Sequence, residues 1–61
     1  MSQKELLYLE DIYNHELLII NIISETLNCI NDDTYISMFN KQLKKHENLG
    51  EKILKLLEEE S

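Results

Sequence analysis

Glu16 and His46 are the side chains in this sequence best placed to do chemistry. Each is a lone polar residue at the centre of an otherwise apolar helical face. They lie at nearly equal distances from the one break in the chain, Asn31-Asp32-Asp33. Two antiparallel helices folded about that break would bring them together within about one helical turn. A carboxylate is costly to bury without a partner, so something must satisfy Glu16. Two readings stand open. One is a structural Glu–His hydrogen bond. The other is part of a metal site: in a two-fold dimer, two Glu16 and two His46 would form a mixed carboxylate–imidazole set suited to zinc, iron or manganese. His15 and Glu47 flank the two residues toward the helix edges, either as second-layer partners of such a site or as ordinary boundary residues. No base-and-orienter constellation surrounds Ser24, Ser37 or Cys29, and no phosphate-binding loop is present.

The elements that must position this pair are two helices. Ser2-Gln3-Lys4-Glu5 is a capping box and starts the first helix. Apolar residues follow at Leu6, Leu9, Ile12/Tyr13, Ile19/Ile20, Ile23, Leu27 and Ile30, a helical period that predicts helix over about 3–30. Asn31-Asp32-Asp33 predicts the turn over 31–33, with Asn31 suited to a left-handed helix end and Asp32 or Asp33 to capping the next helix. Tyr35, Ile36, Phe39, Leu43, Leu49, Ile53, Leu54 and Leu57 predict a second helix over about 34–58, with Tyr35, Phe39, Ile53 and Leu57 centring its apolar stripe. It should fray within Glu58-Glu59-Glu60, where carboxylates oppose the helix dipole. Gly50 lies one turn from His46 on the same face, either for close approach of another backbone or as a tolerated weak spot.

The chain has 61 residues, no proline, one glycine and one cysteine. A single hairpin of that size buries too little apolar surface to be stable alone, and no disulfide framework supports it. Leu17, Leu18, Ile22 and Tyr8 lie off the main stripe of the first helix, where a partner helix cannot cover them all. The expected architecture is therefore an all-α antiparallel two-helix hairpin that dimerises into a four-helix bundle. The net charge of −6, from 12 acidic residues against 6 lysines, argues against nucleic acid and against an anionic membrane surface. The longest apolar run, Leu17-Leu18-Ile19-Ile20, is too short to cross a bilayer. The N-terminus lacks the pattern of a signal peptide. With the lone thiol of Cys29, which leaves an inter-chain bridge open, this predicts cytoplasmic synthesis. Lys41, Lys44, Lys45, Lys52 and Lys55 form an outer stripe on the second helix, and the first helix is acidic. That contrast is either a solvated face or a means of stacking hairpins through opposite charge.

Lys4-Glu5-Leu6-Leu7-Tyr8-Leu9-Glu10-Asp11, His15-Glu16 and Leu43-x-x-His46-Glu47 resemble the short clostridial relatives of spore coat protein F (CotF), among the ferritin-like helical proteins. The resemblance implies a helical bundle, a structural role in the spore coat and other coat proteins as partners. Ferritin-like proteins pair a Glu on one helix with Glu-x-x-His on the next. Glu16 matches the first Glu and His46 the His, but Leu43 stands where the second Glu would be. The resemblance therefore implies a mononuclear metal site at most, holding zinc or iron, and no di-iron oxidase centre. The chain is also similar in length and topology to the sporulation response-regulator phosphatases. Their Ser-Gln-x-Leu-Asp run has its nearest counterpart in Asn40-Lys41-Gln42-Leu43-Lys44, with lysine in place of the Asp. The reading of the sequence is thus a non-enzymatic structural protein acting by self-association. A Glu/His metal-binding bundle is the alternative, and a phosphatase-type regulator the third reading.

Overall fold

Ser2 opens the first helix as expected. Its hydroxyl accepts from the Glu5 amide at 3.1 Å, and the Glu5 carboxylate accepts from the Ser2 amide at 3.0 Å. These hydrogen bonds hold the Glu5 carboxyl below the ordinary carboxylate range. The computed structural model describes residues 1–60. It contains two helices, α1 (Gln3–Leu27) and α2 (Asp33–Glu60), packed against each other as an antiparallel hairpin about 45 Å long. No strand occurs among the described residues.

The turn differs from the expectation in position and mechanism. α1 ends at Leu27, three residues before Ile30. The Asn28 and Cys29 amides donate to the Glu25 and Thr26 carbonyls at 3.2 and 2.9 Å, tightening the last turn to i→i−3 bonds. The Thr26 hydroxyl donates to the Ile22 carbonyl at 2.8 Å and competes with the regular ladder at the same point. Among the described residues none has a positive φ, so Asn31 does not end the helix in the left-handed conformation. Asp32 is the residue that caps α2, its Oδ1 accepting from the Thr34 amide at 2.9 Å and the Tyr35 amide at 3.4 Å. At the far end α2 continues through Glu60 instead of fraying from Glu58. The N-terminal ammonium lies 3.9 Å from the Glu60 carboxylate and offsets the repulsion that three consecutive carboxylates create.

The interior is thin. Ile23 and Ile53 are the only buried apolar side chains among the described residues, and none of the large side chains is fully enclosed. Gly50 is buried, yet the nearest heavy atom to a Cβ built there is Ile20 Cδ1 at 4.0 Å, an ordinary contact. No backbone of the other helix approaches it that closely, so within the hairpin the glycine is a weak spot in α2. Gly50→Ala should stabilise the fold by about 0.5–1 kcal/mol through helix propensity. Urea denaturation checks this. A loss of stability would mean that another element packs against Gly50 in the assembled protein.

Candidate functional site

The positions of Glu16 and His46 follow from a regular spacing in both helices. All the α2 residues that are not exposed are Ile36, Phe39, Leu43, His46, Gly50, Ile53 and Leu57, separated alternately by three and four positions. The inward series of α1 is Leu6, Leu9, Tyr13, Glu16, Ile20, Ile23 and Leu27, with the same alternation. This is the seam of an antiparallel coiled coil. Glu16 and His46 occupy seam positions, each between apolar neighbours, near the middle of its helix. The alternation also corrects one expectation: Ile36, not Tyr35, lies in the seam, and Tyr35 is 54% exposed.

The two side chains meet. His46 Nδ1 lies 2.6 Å from Glu16 Oε2. Among the described residues Glu16 is the one buried charged residue, at 7% exposure, while the His46 side chain retains 26%. A carboxylate only accepts, so an ionised Glu16 requires that His46 carry its proton on Nδ1 and donate. Every buried side-chain polar atom among the described residues is then hydrogen-bonded. The open edge of His46 faces a shallow groove lined by Gln42, Lys45, Leu49 and Lys52.

His15 and Glu47 do not join the pair. Both are exposed, and no hydrogen bond links either to Glu16 or His46 among the described residues. Glu47 lines a groove with Tyr13, Leu17, Ile20 and Leu54, on the side of the hairpin away from the open edge of His46. Within the described residues of one chain, no group of three or more His, Cys, Asp or Glu is arranged to hold a metal ion. Glu16 spends one oxygen on orienting the imidazole. That leaves His46 Nε2 as the ring atom open to a ligand, in the geometry by which carboxylates steer metal-binding histidines.

Besides the seam, the helices carry two flanks of unlike character. On the flank shared with the open edge of His46, α1 presents Tyr8, Ile12 and Ile22, and α2 presents Tyr35, Met38, Leu49 and Leu56. All seven are 43–56% exposed. Tyr8, Ile12 and Leu56 line one groove, which shows that the two helices contribute to the same side. Gln42, Lys45 and Lys52 interrupt this side around Leu49. The opposite flank has Glu10, Asn14, Asn21, Ser24, Asn40, Lys44, Glu47 and Glu51, with Leu7, Leu17 and Leu54 apolar. The apolar residues off the main stripe of α1 were evident from the sequence. The three–four alternation, which assigns each of them to a side, was available there too, but matching residues to a single average helical period blurs it.

Neither helix is long and apolar enough to cross a membrane. The chain matches no family model, no curated protein and no solved structure.

Proposed function

We propose that this chain is a non-enzymatic structural protein that works by self-association, forming a two-fold dimer with a four-helix core and serving as a component of a larger protein layer, as the resemblance to spore coat proteins implies. The observation that carries this reading is the disproportion between inside and outside. Among the described residues two apolar side chains are buried, while twelve large ones are exposed. A monomer of this size leaves too little of its apolar surface out of water to offset the entropy of ordering the chain. The Glu16–His46 contact has a ready role in such a protein. A polar pair in a coiled-coil seam penalises shifted registers, because any slip separates the partners and leaves a buried carboxylate unpaired.

The metal-binding bundle is the second reading, favoured by one feature: His46, with Nδ1 held by Glu16, lines the groove on the face that a partner would cover. A zinc site needs at least three protein donors, and one chain supplies two. The metal would therefore have to sit between copies. Native mass spectrometry of protein purified without chelator, before and after acid, separates the readings. A metal-free dimer supports the structural role. A dimer whose bound zinc or iron leaves at low pH moves the function to metal binding, because acid protonates the imidazole. A monomer at micromolar concentration sinks both.

A further inference from the structure

The apolar flank is bordered by two charged edges that cannot meet within one chain. Along the outer edge of α1, Lys4, Asp11, Leu18 and Glu25 recur at intervals of seven. Along the outer edge of α2, Lys41, Asn48 and Lys55 do the same. These edges lie on opposite sides of the hairpin, pointing away from each other. Two contacts set the level of one helix against the other: Glu16 meets His46, and Ile20 Cδ1 is the nearest side-chain atom to a Cβ built at Gly50, so the level lies midway between the two. By the same register Asp11 is level with Lys55, Leu18 with Asn48, and Glu25 with Lys41, while Lys4 lies about half a turn beyond Glu60, the last of the acidic run.

We infer that the apolar flank binds a second copy of the chain about a two-fold axis parallel to the long axis of the hairpin, so that α1 lies on the partner's α2. This rests on the self-association proposed above and adds its geometry. A rotation about that axis leaves every residue at its own level. Each acidic position on α1 then meets the lysine of the same level across the interface, and Lys4 lies about half a turn beyond the partner's acidic end. The other two-fold arrangement, with the axis perpendicular to the hairpin, stacks α1 on α1 and α2 on α2. It sets Asp11 near Glu25 and Lys41 near Lys55, like charge against like. The area suits a second copy. Seven half-exposed side chains of these types offer on the order of 700 Å², against roughly 800 Å² per partner in a standard interface. The largest apolar patch of an ordinary monomer is about 300–600 Å². Stacking in this way also closes the open edge of His46.

The test is site-directed crosslinking in a Cys29→Ser background, with a short bis-maleimide. Mixing Leu18→Cys chains with Asn48→Cys chains should give a covalent heterodimer, and Leu18→Cys alone should give little. Efficient Leu18–Leu18 crosslinking overturns the geometry while leaving self-association intact. A dimer that crosslinks through neither combination also overturns it. A protein that is monomeric before crosslinking overturns the self-association reading itself. Charge reversal provides an independent arm. Asp11→Lys with Glu25→Lys should weaken the dimer about tenfold to a hundredfold, and adding Lys41→Glu with Lys55→Glu should restore it. An affinity unmoved by either set contradicts the proposed stacking.

Discussion

His46→Leu should destabilise the fold by about 3 kcal/mol, and Glu16→Leu by clearly less, although the two residues share one hydrogen bond. The asymmetry comes from what each substitution leaves behind. His46→Leu strands a carboxylate in the seam of the hairpin, where it is 7% exposed and His46 is the partner it loses. An ionised group in that position costs several kcal/mol unless it takes up a proton or the helices part. Glu16→Leu leaves an imidazole that can remain neutral and that keeps an open edge. An uncharged polar group is much cheaper to leave unpaired. The double variant Glu16→Leu/His46→Leu removes both problems and fills the seam with apolar volume, so it should be at least as stable as the natural chain. The expected loss for His46→Leu corresponds to a fall in Tm of roughly 12–24 °C for a domain of this size. Thermal and urea melts of the four proteins give a double-mutant cycle. Additive effects would show that the pair is not coupled and that its closeness carries no stability. The double variant should also be less particular about its assembly. Mixed oligomeric species, seen by size-exclusion chromatography with light scattering, would connect the buried pair to register.

Leu49→Glu should abolish self-association, and Leu54→Glu should not. Both leucines are on α2, both are substantially exposed, and they lie on opposite flanks of the seam. Leu49 borders the groove at the open edge of His46 and lies in the middle of the apolar side. In a two-fold dimer each copy brings its own Leu49, so one substitution places two carboxylates in the contact. Burying two carboxylates there, even with Lys45 and Lys52 in the same groove, costs more than a dimer of this area supplies. The expected loss of affinity is at least a hundredfold. Leu54 faces the more polar side, with Glu47 and Glu51 near it, and a further carboxylate there stays in water. Sedimentation equilibrium of the two variants at equal concentration checks the contrast. Equal weakening by both would mean that the hairpin associates through no particular side.

Much of this was legible in the sequence for identifiable reasons. The Ser2–Glu5 capping box is a local motif whose atoms are all within one turn, and it formed as expected. The Glu16–His46 contact was legible because two long helices joined by a short turn leave one antiparallel arrangement, and counting from the turn locates the meeting point. The end of α1 was not. Ile30 continues the apolar period, but the Thr26 hydroxyl and the i→i−3 bonds of Asn28 and Cys29 terminate the helix first, and no residue type announces that competition. Tyr35 and Ile36 were hard to separate for a similar reason. Both are apolar at the start of α2, and only the strict alternation back from Phe39 and Leu43 selects Ile36 for the seam. The role of Gly50 depended on distances to other side chains, which sequence does not contain.

On the proposed function this hairpin is half of a folded unit. Thermal unfolding followed by circular dichroism, over about a hundredfold range of protein concentration, tests it most directly. A chain that folds only as a dimer must show a Tm that rises with concentration, because association and folding are one equilibrium. Sedimentation equilibrium of the same samples should return the dimer mass. A helical monomer whose Tm is the same at every concentration would contradict the account, because the thin seam around Ile23, Ile53 and the Glu16–His46 pair would then be sufficient alone.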